Sequence, residues 1–565
     1  MRLTTKGTGF APAYGGQWTT GVLMTLLLAA ALLAAPARET APETAPQTAQ
    51  TAPQTAKTAP QTAQAPDLEL MADFNRDGYH DLAVGVPGET FANGAEGAVH
   101  VIYGGPDGLD GDNPVDDQVW AQDSVGIGES AQQGDNFGYT LAWGDFNGDG
   151  YHDLAVGVPY ETLYDTTSLP TVPEAGVIHV IYGSPTGLTA VGNIVLTQNS
   201  SGIADQAEPY DYFGWALAAG NFGYGPETDL AVAAPGEDLN AEDAGAVNVL
   251  FGSPAGLGAT GNQFWHQDSV GISGVGERTD FFGIALAAAN FGNGGYADLA
   301  VGVPYEDLDP ATEQNAGVVN VIYGSTVGLT ATGNSMWHQN RTGIGGVVEA
   351  GDLFGFSLAA ANFGDSGESD LAIGVPLEDV NDPDAGAVNV IYGSAAGLAE
   401  TGNQLWHTAL LNMSGQTETN FGTALVAANF GNGGYADLAV GVPYINDAAG
   451  AVIVFYGSSS GLIESGWDYW SQSGDVNGDP EDNDMFGRSL AAANFGKGSE
   501  ADLAVGVPGE DYERLFLDDL NVGAVNIIYG SSSGLTTTGN QFWWQRSDAL
   551  HDSGSAWDYF GASLA

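Results

Sequence analysis

The sequence predicts an all-β fold, a seven-bladed β-propeller of four-stranded blades, and three observations carry that prediction. First, the phrase DLAVGVP or a close variant occurs seven times, at 81–87, 153–159, 229–235, 298–304, 370–376, 437–443 and 502–508. Self-similarity at a near-constant spacing marks one supersecondary unit repeated, not several unrelated domains. Second, each unit holds four short runs, β-branched or aromatic and bounded by Gly, Pro, Asn and Asp, which read as strands. Third, no run of helical period is long enough to make a helix. Small sheets with two apolar faces must each pack on two neighbours, and a closed ring satisfies all of them.

The chain has 565 residues. Residues 1–37 have the plan of a secretory signal: Arg2 and Lys6, an apolar run from Val22 to Ala35, and small residues around Pro36. The apolar core is shorter than the ~20 residues a membrane span needs, so cleavage is expected, with an uncleaved anchor as the alternative. Residues 38–66 are a Thr/Ala/Pro/Gln-rich tract with little to bury, read as a disordered linker. Residues 67–565 are the propeller.

In each unit the first run is FGxxLA, the second DLAVGVP, the third a G-[AV]-V-x-V-[IL]-[YF]-G run such as 97–104, and the fourth a stretch around Trp such as 263–267. DLAVGVP is almost continuously apolar, so both its faces should be buried. The FG motif stands at Phe137, Phe213, Phe282, Phe354, Phe421, Phe486 and Phe560. The first DLAVGVP has no FG before it and the last FG has no DLAVGVP after it. The C-terminal strand is therefore expected to complete the first blade; the competing reading gives that role to residues 68–72.

Composition narrows the function. Asp plus Glu number 70 against 11 Lys plus Arg, a formal charge of −59, which repels nucleic acid. With no cysteine there is no disulfide, thiolate metal site or cysteine nucleophile. The scarcity of lysine beside abundant Asp also suits a saline habitat.

The loops between FGxxLA and DLAVGVP are where chemistry concentrates. Two are fully acidic, residues 73–81 (DFNRDGYHD) and 145–153 (DFNGDGYHD). Oxygen ligands at positions 1, 3, 5 and 9, with a backbone carbonyl near 7, suit Ca2+, which takes 6–8 hard oxygens. The Glu that closes a helix–loop–helix calcium site is missing, since Val84 and Val156 stand there. The alternative is an Asx-rich turn without metal. The other five loops (221–229, 290–298, 362–370, 429–437 and 494–502) keep Asn first and Asp last but have Gly or Ser at positions 3 and 5. They are expected to be held by side-chain bonds to backbone, with metal weak or absent; Lys497 would oppose it in the last.

FG, then a D-x-[DN]-x-D-G loop, then a strand ending in G-[VA]-P resembles the FG-GAP repeat of the seven-bladed propeller at the head of integrin α chains and of related bacterial secreted proteins. The resemblance covers residues 67–565. It implies Ca2+ held by Asp73, Asn75, Asp77, the Tyr79 carbonyl and Asp81, and by Asp145, Asn147, Asp149, the Tyr151 carbonyl and Asp153. FG-GAP propellers also accompany hydrolase domains, as in a phospholipase D specific for glycosylphosphatidylinositol, but no residues remain here for such a domain.

No catalytic motif is present, so an enzyme is not the favoured reading. His266, His338 and His407 follow Trp in the same repeat slot, and His80 and His152 occupy equivalent loop positions, which marks all five as structural. The segments after each proline vary in length and open on one face, where binding usually lives. They carry Glu89, Glu161, Glu237, Asp238, Glu306, Asp307, Glu378, Asp379, Glu510 and Asp511. These read either as an acidic rim for a cationic or calcium-bridged partner or as solvated loops. The expectation is a secreted, monomeric, calcium-binding adhesion or recognition module for an extracellular protein or glycan, without nucleic acid or a lasting membrane span. The alternative is a secreted hydrolase on the same ring.

Overall fold

A computed structural model describes residues 72–565 except 92–93, 111–116, 129, 165–170, 310, 365, 381, 412–417, 474–475, 515–516, 520, 548–549 and 551–553. The signal and linker expectations, and most of the competing closing strand at 68–72, lie outside the described residues.

Blade two shows the plan. Its antiparallel strands run Thr140–Gly144, Asp153–Val158, Val177–Tyr182 and Thr189–Leu196, from inside to outside. Blades three to seven repeat it over residues 217–265, 285–337, 357–407, 425–470 and 489–543. The FGxxLA strand lies innermost because its small residues fit where seven strands crowd round one axis. Every residue of the Asp153–Val158 strand and of its counterparts is buried, as a run apolar on both faces requires.

Blade one is built from both ends of the domain. Its order is Gln118–Trp120, Ala98–Ile102, Leu82–Val86 and the C-terminal Ser563–Leu564. Val84 pairs with Leu564 and Gly85 with Ser563. The clasp expected from the orphan FG motif is therefore the one observed.

The apolar core is not one mass but seven, one at each junction between neighbouring blades. At the closing junction Leu82, Val84 and Val86 meet Val525, Ile527 and Tyr529, with Phe560 fully buried among them. Each FG phenylalanine fills such a junction, and burying one contributes about 1.5–3 kcal/mol. The adjoining glycines allow the approach: a β-carbon on Gly157 would lie 2.2 Å from the carbonyl oxygen of Gly214 in the next blade. Three features were not expected: a short hairpin of Tyr512–Arg514 and Leu517–Asp519 in the blade-seven loop, and single helical turns at Thr408–Leu411 and Ile445–Ala448.

Candidate metal centres

The hairpin between the inner and second strands carries each loop. In the first acidic loop Asp73 accepts the amides of Asp77 (3.1 Å) and Gly78 (3.0 Å) on its two oxygens. Asn75 accepts the Asp77 amide at 2.9 Å, and Asp77 accepts the Tyr79 amide at 2.9 Å. The second loop repeats this: Asp145 accepts from Asp149 and Gly150, Asn147 from Asp149, and Asp149 from Tyr151. The chain thus curls so that positions 1, 3 and 5 share one set of backbone donors. Most of these oxygens use one lone pair this way and keep another, while Asp145 Oδ1 accepts two amides, those of Gly148 and Asp149.

Asp81 and Asp153 sit below the loops, fully buried. Asp81 accepts the amides of Phe74 at 2.7 Å and Gly104 at 3.0 Å, and Asp153 those of Phe146 and Gly183. The same two bonds recur at Asp229, Asp298, Asp370, Asp437 and Asp502, in the loops without acidic positions 3 and 5. Position 9 therefore has a structural duty in every blade, tying loop to strand, whatever else it does in the first two. Burial first, then the charges of Asp145 and Asp149, push Asp153 up to about 8 against its two amide donors. A divalent cation would reverse that balance.

The five other loops are held as expected, by side chain to backbone. Asn290 accepts the Gly292 amide at 3.0 Å and donates across the loop to the Gly294 carbonyl at 3.4 Å; Asn221, Asn362, Asn429 and Asn494 do the same. An Asn at position 1 supplies its own donor to the loop; Asp73 and Asp145 cannot. Position 3 differs as well. Gly292 has φ +107° and a β-carbon there would lie 1.8 Å from the Ser394 carbonyl of the next blade, so no ligand side chain fits. Lys497 turns away, donating to the Gly539 carbonyl at 2.7 Å over the Tyr529 ring.

The loops are joined in a circle. The amide at position 8 of each donates to the position-1 carbonyl of the preceding blade: His80 to Asn494, His152 to Asp73, Thr228 to Asp145, Ala297 to Asn221, Ser369 to Asn290, Ala436 to Asn362 and Ala501 to Asn429. His80 and His152 add a return bond, accepting on Nδ1 from the amides of Asn494 (3.1 Å) and Asp73 (2.9 Å). Burial and the neighbouring His152 push His80 down to about 4, so it stays neutral and can accept.

A family profile described as the FG-GAP repeat matches residues 70–102 and 137–181, the stretches that contain both acidic loops. The chain carries FG-GAP repeats. It is 32% identical over 185 residues to phosphatidylinositol-glycan-specific phospholipase D of Rattus norvegicus, covering 32% of this chain and 20% of that one. It is 32% identical over 175 residues to integrin alpha-PS2 of Drosophila melanogaster (30% and 11%) and 26% identical over 203 residues to integrin alpha-8 of Gallus gallus (35% and 17%). The chain spans about a fifth of the length of the phospholipase relatives it matches. The fold agrees with an integrin-α-like FG-GAP propeller.

The opposite face of the FG-GAP ring corrects the reading of an acidic rim. Glu89, Glu161, Glu237, Glu306 and Glu378, two residues after each proline, are buried, not displayed to solvent. Each accepts the side-chain amide of a buried Gln from the preceding blade: Gln122 to Glu161 at 2.7 Å and Gln267 to Glu306 at 2.5 Å, likewise Gln198 to Glu237, Gln339 to Glu378 and Gln545 to Glu89; Gln472 donates to the half-buried Glu510 at 2.6 Å. A buried Asp two residues before the FG phenylalanine completes each group: Asp135, Asp211, Asp280, Asp352, Asp484 and Asp558. Asp135 bonds to Glu161 and Asp280 to Glu306 directly. Asp238, Asp307, Asp379 and Asp511, also read as rim acids, accept amides within their own loops. The signal was in the repeats: Gln, Glu and Asp occur together at six junctions, and at the seventh Thr408, Ile445 and Thr419 replace all three at once.

Proposed function

We propose that this chain is an extracellular FG-GAP propeller in which blades one and two each hold one Ca2+ in the hairpin loop, and whose opposite face binds an extracellular protein or glycan. The observation that carries the calcium reading is the contrast among loops. Five supply an Asn amide donor and a glycine at position 3, and two put acceptors there instead. Asp73, Asn75, Asp77, the Tyr79 carbonyl and Asp81 would hold one ion, and Asp145, Asn147, Asp149, the Tyr151 carbonyl and Asp153 the other. All are hard oxygens, the set Ca2+ selects. Bound there, the ion supplies charge neutralisation and stiffness to the loop circle.

The binding reading rests on architecture. Connections of differing length leave one face of a rigid ring, the arrangement in which recognition surfaces are built. Similarity to integrin α chains supports it. Among the described residues no helix is long and apolar enough to cross a membrane. We propose a monomer acting after export.

Similarity to the phospholipase favours a second reading, a hydrolase or its substrate-binding scaffold. One experiment separates the two. The full chain is tested for binding to arrayed glycans and extracellular-matrix proteins, with calcium and with chelator, and for release of a glycosylphosphatidylinositol-anchored reporter from vesicles. Calcium-dependent capture without release supports recognition. Release supports the hydrolase, and neither outcome, over a broad array, contradicts both.

A further inference from the structure

Two of the six Gln–Glu–Asp junctions differ from the others. At the start of blade three Glu208, Asp211 and Glu237 bring one carboxylate oxygen each to within 4.8 Å of one another, and at the start of blade seven Glu481, Asp484 and Glu510 do the same. Glu208 and Glu481 stand three residues before the Asp, one oxygen of which accepts their backbone amide at 2.5 and 2.6 Å, as Glu277 and Glu349 do before Asp280 and Asp352. The difference is convergence: among the described residues only these two groups bring all three carboxylates together, whereas at the blade-four junction Asp280 bonds to Glu306 and Glu277 adds its charge from outside that cluster.

A separate observation points to a ligand. Asp211 is fully buried, yet its Oδ1 has no hydrogen-bond partner. Gln198, 1% exposed and not an acid, donates its amide to Glu237 and leaves its own Oε1 unpartnered. The second group repeats both: Asp484 Oδ1 and Gln472 Oε1 are buried without partners. The Gln oxygen is unpartnered at Gln122, Gln267, Gln339 and Gln545 as well, so what sets these two places apart is that it stands beside a partnerless Asp Oδ1 and three converging carboxylates. A buried acceptor left without a donor is destabilising, and here two such oxygens adjoin three carboxylates at each place.

We infer that Glu208, Asp211 and Glu237 with Gln198, and Glu481, Asp484 and Glu510 with Gln472, form two further divalent-cation sites, on the face opposite the hairpin loops. The donors are all hard oxygens, which disfavours zinc and the softer metals. Oxygens spread over as much as 4.8 Å suit Ca2+, with contacts of ~2.3–2.6 Å, better than Mg2+, with contacts of ~2.0–2.1 Å. Each site draws on the outer edge of one blade and two connections of the next. A cation there cross-links blades two and three, or six and seven, and stiffens the face on which the variable loops stand.

The test is independent of the hairpin loops. Calorimetric titration of Ca2+ into the full chain carrying Asp77→Ala and Asp149→Ala should still show two equivalents. Adding Asp211→Asn or Asp484→Asn should remove one each, and both together should remove all binding. Folding is controlled by Gln198→Thr/Asp211→Thr/Glu237→Ile, which copies the Thr408, Thr419 and Ile445 solution the protein already uses. That variant should keep its circular dichroism and chelated melting curve and lose one equivalent. A background variant that binds no calcium, or a folded copy variant that still binds two, would overturn the inference.

Discussion

The amide of Asp73 donates to Nδ1 of His152 at 2.9 Å, so the first ligand position of one acidic loop hangs on the loop of the next blade. His152 returns the contact through its own amide to the Asp73 carbonyl at 3.2 Å. The two candidate calcium loops are therefore one hydrogen-bonded unit, and Asp73 is oriented from outside its own loop.

Removing that acceptor should loosen the first site without touching its ligands. A hydrogen bond of this kind contributes about 0.5–1.5 kcal/mol, which converts to roughly a 2- to 13-fold loss of affinity. His152→Leu, titrated with calcium in an Asp149→Ala background, should weaken binding by that factor, and His152→Asn, which restores an acceptor, should recover part of it. Equal affinity in all three would show that Asp73 needs no support from the neighbouring blade.

The position-9 aspartate is expected to stabilise blades that have no metal motif. Asp298 accepts from Phe291 and Gly324, both at 2.8 Å. Asp298→Ala orphans two buried amides, at a cost of about 1–3 kcal/mol each. Denaturant unfolding in chelator should show the loss, and an unchanged midpoint would mean the clamp contributes nothing.

Ring closure has its own residue. Phe560 is fully buried in the junction between blades seven and one, beside the strand that pairs with Val84 and Gly85. Phe560→Ala should cost about 3–5 kcal/mol while leaving calcium stoichiometry unchanged. Wild-type stability in that variant would mean that the C-terminal strand does not close the molecule.

Stability should also fall with rising pH. Burial, and then neighbouring acids, push Asp280 up to about 7 and Glu306 to about 8; Glu277 and Asp307 add to the negative field. A folded-state pKa above the unfolded value means the folded chain binds the extra proton, so its stabilisation is complete at low pH and is lost as pH rises through about 7–8. Melting of the chelated protein should drop between about pH 4, where the unfolded carboxyls titrate, and about pH 8, and less steeply in Asp280→Asn, whose amide donates without a proton to lose. Parallel slopes would show that the pair ionises freely.

Much of this was legible in the amino-acid order because the repeat supplies seven copies of each decision. Phe560 without a following DLAVGVP announced the clasp, and Asn at the head of five loops announced how they are held. Other features could not be read from spacing. Glu161 and its counterparts follow a proline in variable loops and resemble solvent-facing acids, yet the backbone turns them inward to meet a Gln and an Asp from distant parts of the chain. Asp81 matched a ligand position, and only its recurrence in loops without the other ligands reveals the amide clamp it shares with Asp298. The glycine at position 3 reads as a missing ligand, whereas at Gly292 it is a steric requirement set by Ser394 of the next blade.

The central claim is that two hairpin loops, and not all seven, hold calcium. Its most direct measurement is the number of Ca2+ equivalents bound by the full chain beside Asp77→Ala, Asp149→Ala and the double variant. One equivalent should disappear with each single change and two with the double, whatever binds elsewhere on the ring. An identical count in all four proteins would contradict the claim.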